Sequence, residues 1–260
     1  MFRALLNTPK YGFCRNAKTL PFSSSFATLS RRLIHIKTVS TPNENSLKFI
    51  STDGDTFLNN NASVEIKNSD QELIKHSSLA RTIFVQCPGV ESIMIGKDFI
   101  TINKDTQLHW RQLTNDVIDI LTNHLAKGNE SVDEEKYHHT VKEQEGYEIN
   151  VPKFELNEEQ QEVSDMIDEL IQTRIRPAVQ DDGGDILYRG FDPEKGIVYL
   201  KLQGACKSCS SSEDTLKTGI EGMLKHYIEE VEEVVQILDP EEEIALREFE
   251  KLESKLSEKN

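Results

Sequence analysis

The chain has 260 residues, enough for two modest domains, and its 45 acidic against 30 basic residues give a formal net charge of −15. So acidic a chain is ill suited to the phosphate backbone of nucleic acid, and no apolar run approaches the ~20 residues that cross a bilayer. Hydrophobic residues make up 37% of the chain, so there is a core to bury, and four cysteines are too few for a disulfide scaffold.

The acidity is unevenly spread. Glu44 is the first acidic residue, and seven bases precede it: Arg3, Lys10, Arg15, Lys18, Arg31, Arg32 and Lys37. The same stretch is rich in Ser and Thr, with Phe and Leu among its bases. This is the composition of a mitochondrial transit peptide, expected over 1–40, with a cut between Ser30 and Thr41. Cys14 would leave with it. Without the seven bases the chain carries 23 basic against 45 acidic residues, a net of −22.

A first domain is expected over 41–127. Ser46–Ile50 is apolar enough for a strand, and Asp70 is placed to cap a helix through Phe84. Pro88-Gly89 marks a turn, and the β-branched runs Val90–Ile95 and Phe99–Ile102 predict a hairpin around Gly96-Lys97-Asp98. Asp105 is expected to cap a second helix, on which Trp110, Leu113, Val117, Ile120, Leu121 and Leu125 hold a helical period. Residues 128–156 are polar and without sustained period, and are expected to be a flexible acidic linker. The neighbours His138 and His139 fall in it, where a surface role outweighs a metal site.

A second domain is expected over 157–240. Asn157 with Gln160 forms a capping-box pattern ahead of a helix carrying Val163, Met166, Ile167, Leu170, Ile171 and Ile175, expected to end near Arg174–Arg176 because of Pro177. Asp182-Gly183-Gly184-Asp185 is a turn. Ile186–Phe191 and Ile197–Gln203 are strands joined by a turn at 192–196. A helix over Ser211–Ile228 and a strand over Val231–Leu238 complete the domain. The charged tail 241–260 carries a weak stripe of Ile244, Leu246, Phe249, Leu252 and Leu256.

Chemistry concentrates at Cys206-x-x-Cys209, after a strand and before a helix whose N-terminus favours thiolate. Lys207 adds local positive charge. A redox dithiol is one reading, since strand, CxxC, helix is also the thioredoxin order, although no βαβ unit of that length precedes it. A structural zinc needs four ligands, and His226 lies too far along the following helix to join the two thiols. An iron–sulfur site needs four thiolates, so two chains would share a cluster and could release it. Two inert packed cysteines remain the bland alternative, against which the Gly, Ser and Lys around them argue for exposure. Cys87 reads as a small buried hydrophobe, and His76, His109 and His124 as structural or surface residues.

The run Arg174-Ile175-Arg176-Pro177, Asp182-Gly183-Gly184-Asp185, Leu202-Gln203-Gly204-Ala205-Cys206, Cys209, Thr215-Leu216-Lys217 and Gly219-Ile220-Glu221 resembles the NifU-like C-terminal domain. The first half resembles the Nfu N-terminal domain, through Thr41-Pro42-Asn43, Asn45–Ile50, Pro88-Gly89-Val90 and Gly96–Ile102. Together they cover nearly all of the chain beyond the presequence, in the order of the mitochondrial Nfu iron–sulfur cluster scaffold family. The resemblance implies an α+β protein of two small α/β-sandwich-type domains joined by the acidic linker. It implies a [4Fe-4S] cluster bridged between two chains by Cys206 and Cys209, a homodimer when loaded, and no enzymatic activity. It also implies cluster delivery in the mitochondrial matrix to apo clients such as lipoyl synthase, aconitase-type enzymes and respiratory complex subunits, after upstream assembly factors have supplied the cluster. Gly183 and Gly184 would shape the entry to the first strand, and Gly204 would let backbone approach the cluster. Two positions depart from the family pattern: Ser210 stands where many members have Pro, and Cys87 where members have an aliphatic or aromatic residue.

Overall fold

The computed structural model describes residues 34–148, 154–207 and 210–238; the side chains of 144–148 and 210–215 lie outside the description. Residues 1–33 with Cys14, the second cysteine of the pair, Cys209, and the tail 241–260 are therefore outside the described residues.

The first half is an antiparallel five-stranded sheet. Its strands are β1 (Ile36–Ser40), β2 (Ser46–Ser51), β3 (Val64–Lys67), β4 (Val90–Ile95) and β5 (Phe99–Lys104), in the order β1-β2-β5-β4-β3. Period-two alternation puts Phe49 opposite Ile100, Ile93 opposite Ile102, and Ile66 opposite Ile93, all on one face. Two helices, α2 (Ser78–Gln86) and α3 (Trp110–Lys127), bury Leu79, Ile83, Leu113, Val117 and Leu121 in the same core. Each such side chain contributes about 1.5–3 kcal/mol over leaving it in water.

Three expectations change here. The helix expected from Asp70 to Phe84 is two: Asp70 caps α1 (Gln71–Lys75), then Ser77 accepts from the Ala80 N–H and starts α2. Asp105 accepts from the Gln107 N–H in a turn, and α3 begins at Trp110 with His109 as its N-cap. Residues 36–40, assigned to the presequence, form the edge strand β1, pairing from Ile36 with Ser51 to Ser40 with Leu47. The strand is five residues long with Ile36 and Val39 half-buried, too short an alternation to stand out beside the bases around it.

The expected linker is corrected as well. Its residues 134–148 form α4 (Glu134–Glu148), and Val132 and Tyr137 are buried in the first core. The Tyr137 hydroxyl donates to the Glu65 carbonyl at 2.8 Å, and the Ser77 hydroxyl donates to the Ser131 carbonyl at 2.8 Å. The apolar positions Val132, Tyr137 and Val141 are too widely spaced to register as a helical period. Within α4, His138 contacts the Tyr137 ring edge and His139 faces Glu143 at 3.5 Å on the surface.

In the second half, α5 (Glu158–Leu170) starts at Asn157, whose side chain accepts from the Gln160 N–H while Gln160 accepts from the Asn157 N–H. The helix does not stop before Pro177. One π turn (Ile171–Ile175) leads into α6 (Arg176–Asp181), with the Arg176 N–H bonded to the Ile171 carbonyl. Pro lacks an N–H and clashes with the carbonyl four residues back; the wider turn makes room for it. The sheet β6 (Gly184–Asp192), β7 (Ile197–Gly204), β8 (Glu233–Gln236) pairs antiparallel, then parallel, and α7 (Ser210–Tyr227) is the crossover. Ile167, Ile171, Ile186, Val198, Leu200, Ile220 and Leu224 close this second core. Both halves mix helix and sheet, as the α+β reading anticipates.

Candidate cysteine-loop site

Strand β7 ends at Gly204, whose φ of +68° turns the chain into a single 3-10 turn, Ala205–Lys207. Cys206 lies in that turn, 7% exposed, with its side chain in the second core. The strand opposite makes room for it: a Cβ added at Gly184 would collide with Cys206 Sγ. Gly183, at φ +83°, brings the end of α6 into β6 in a backbone conformation that side chains avoid. Its carbonyl accepts from the Ala205 N–H at 3.3 Å, tying the glycine turn to the cysteine turn.

Asp185 looks in the sequence like part of a surface turn. It is fully buried, and its carboxylate takes Arg176 Nε and Nη2 at 2.8 Å each, while Gln172 Oε1 accepts from Arg176 Nη1 at 2.9 Å. The hydrogen bonds to Asp185 hold the guanidinium above its ordinary pKa, against the opposing effect of burial. This bidentate clamp fixes α6 to β6 beneath the cysteine turn. Arg176 and Asp185 lie nine residues apart across the turn, and no local sequence signal announces the pair.

Cys206 borders a half-open cleft of about 440 Å³, with apolar walls from Ala178, Val179, Leu216, Ile220, Met223 and the first half's Pro42. The first half also supplies polar groups that sequence reasoning missed. Glu65 Oε1 accepts the Gly204 N–H at 3.1 Å, and Glu65 Oε2 lies 3.7 Å from Lys207 Nζ. Asn103 donates to the Gly204 carbonyl at 3.3 Å, and Asn43 to the Ala205 carbonyl at 3.2 Å. Lys48 Nζ donates to the Gln180 carbonyl at 2.8 Å and sits 4.4 Å from the Phe99 ring centre. Burial pulls its pKa below the ordinary lysine value, although Asp181, Asp98 and Asp182 pull the other way. The close neighbours that require Gly204 are Met94 and the Gly183 carbonyl, which an added Cβ would meet at 2.7 and 2.9 Å.

The remaining candidates fall elsewhere. Cys87 is 1% exposed at the end of α2, in the first core. His124 is buried against Ser131 Oγ at 3.0 Å, with its pKa lowered first by burial and then by Lys127. His76 meets Thr140 Oγ1 at 3.1 Å, and His226 sits in the last turn of α7. Among the described residues, no three His, Cys, Asp or Glu side chains are grouped to hold a metal ion, and no helix is long and apolar enough to cross a membrane.

Comparison with known proteins bears on both halves. Residues 36–128 match the family model described as "Scaffold protein Nfu/NifU N terminal", and residues 167–235 match the "NifU-like domain". A Saccharomyces cerevisiae protein named "NifU-like protein, mitochondrial" is 61% identical over 238 residues, which cover 90% of this chain and 92% of that protein. The human protein named "NFU1 iron-sulfur cluster scaffold homolog, mitochondrial" is 43% identical over 215 residues, covering 81% of this chain and 74% of its own. The Arabidopsis thaliana "NifU-like protein 5, mitochondrial" is 38% identical over 230 residues, covering 88% and 76%.

Proposed function

The chain belongs to the Nfu/NifU-like family, and on that premise we propose that it is a mitochondrial iron–sulfur cluster scaffold without catalytic activity of its own. Its cargo is a [4Fe-4S] cluster held between two chains, each giving the thiolates of Cys206 and Cys209. Two cysteines fall short of the four thiolates a cluster takes, so a second copy completes the set. The observation that carries this reading is the position of Cys206, at a strand-to-helix turn and on the rim of an open apolar cleft. A thiol so placed is held by the sheet on one side and borders the cleft on the other.

Delivery is ligand exchange. A client cysteine loses its proton and forms an iron–sulfur bond as a bond to Cys206 or Cys209 breaks, and the released scaffold thiolate takes up a proton. No electron changes hands, and repetition at each ligand moves the cluster. The recipients we propose are matrix apoproteins such as lipoyl synthase, aconitase-type enzymes and respiratory complex subunits, with the cluster supplied by upstream assembly factors.

Anaerobic reconstitution with iron and sulfide tests the proposal. About two iron atoms per chain, with the mass of a dimer, are expected, as four-iron clusters shared by two chains require. Cys206→Ala is expected to lose cluster and dimer together. Full cluster retention by that variant, or turnover of disulfide substrates at enzyme rates, would overturn it.

A further inference from the structure

The first sheet has two faces of opposite character, and both are buried. One is the isoleucine-rich face on α2 and α3. On the other, the register aligns Lys48, Glu65, Ser92, Met94, Thr101 and Asn103. An antiparallel sheet with one apolar face ordinarily turns its polar face to water. Here Lys48 is 6% exposed, Glu65 8% and Thr101 1%. What covers them is the second half: the end of α6 over Lys48, and Gly204–Lys207 over Glu65, Met94 and Asn103.

The backbone of the two residues before Cys206 is bonded to first-half side chains at three points. They are the Gly204 N–H to Glu65, the Gly204 carbonyl to Asn103, and the Ala205 carbonyl to Asn43. Glycine is what lets the surfaces meet. A Cβ at Gly204 would strike Met94, and one at Gly183 would lie 2.9 Å from Thr41 Cγ2 and 3.2 Å from Thr101 Oγ1.

We propose that the polar face of the first sheet is a docking surface for the chain's own cysteine loop, and that it withholds Cys206 from a second chain until the two halves part. The proposal rests on the reading of Cys206 as a cluster ligand. The contact is of a kind that parts. Beside the apolar contacts of Met94 and Pro42, it is made of directional polar bonds that water replaces, and its ion pair, Glu65 with Lys207, gives up hydration in forming. The Thr101 hydroxyl is buried there without a hydrogen-bond partner among the described residues, so it gains water on opening. Contacts between domains of one chain are commonly polar and mobile in this way.

The test is the alkylation rate of Cys206 by N-ethylmaleimide in the full, cluster-free, reduced chain. Trypsin cuts after Lys201, Lys207 and Lys217, so Cys206 and Cys209 fall on separate peptides, 202–207 and 208–217. Cys87, in the first core, reports whether that half stays folded. Thr101→Arg places bulk and charge on the docking face without touching the isoleucine core. Glu65→Gln removes the charge opposite Lys207. Cys206 is expected to react at least about tenfold faster in Thr101→Arg and several-fold faster in Glu65→Gln, with Cys87 still protected. Unchanged rates in both variants would overturn the proposal. If Cys87 becomes reactive in Thr101→Arg, the rate in Glu65→Gln alone decides. Iron loading of the same proteins separates the two readings: no iron uptake by the wild-type chain or by the variants overturns the cluster assignment, whereas normal iron uptake with unchanged alkylation overturns the docking alone.

Discussion

Cys87 and Cys206 are both buried thiols, yet their surroundings assign them different chemistry. Cys87 has core on every side; burial first, and then the charge of Asp116, push its pKa up to about 11. A thiol outside the fold ionises near 9.0, so the folded value is raised. The stabilisation from keeping Cys87 neutral is therefore complete below pH ~9 and is lost as pH climbs from there to about 11. The first half is expected to weaken over that window, and Cys87→Ala, although less stable throughout, to show a shallower decline in urea midpoint with pH. At pH 8 iodoacetamide is expected to leave Cys87 unmodified for as long as the chain is folded. The burial of Cys87 was legible in the sequence, as that of a lone cysteine, whereas the Gly, Lys and Ser around Cys206 argued for exposure and the structure packs its side chain in the second core, 7% exposed. Asp185 was not legible. Its Gly-Gly neighbours mark a turn, and nothing local says that Arg176 returns to clamp it.

At the scale of elements, α3, the β4–β5 hairpin, α5 and α7 announce themselves by period, cap or turn, because the forces that set them act within a few residues. The errors have longer reach. Helix α4 has a sparse apolar stripe and is held by Tyr137, whose partner Glu65 is 72 residues away. The prediction at this scale is that Tyr137→Ala lowers the stability of the first half by about 3–5 kcal/mol, from the lost ring burial together with the hydrogen bond to the Glu65 carbonyl. Denaturant unfolding followed by Trp110 fluorescence reads this directly; a change within ~0.5 kcal/mol would mean that residues 128–156 behave as a linker after all. The π turn before Pro177 is a second case. A proline predicts a break, and whether a break becomes a stop or a wider turn depends on what lies beyond it. Here α6 continues because Val179 is buried in the second core and Arg176 reaches Asp185.

At the scale of the whole molecule, β1 bears on where the mature protein begins. A cut at residue 40 would strip an edge strand from the first sheet. We therefore expect import processing to fall upstream of Ile36, checked by N-terminal sequencing of the protein from mitochondria. Lys37 then stays, leaving 24 basic against 45 acidic residues, a net of −21. The polar face of the first sheet was hidden from sequence reading for a reason of the same scale. Lys48, Glu65, Thr101 and Asn103 alternate with isoleucines as solvated residues do, and their burial comes from contacts such as Glu65 with Gly204, 139 residues apart. That contact has a consequence in mass action. A cluster bridged by two chains needs both in the open form at once, so its assembly scales with the square of the open fraction. If about one chain in ten is open, the apparent association of two chains weakens about a hundredfold. A client that binds one open chain suffers only tenfold. Intramolecular docking would thus tilt a half-released cluster towards the client and away from recapture by a second scaffold chain.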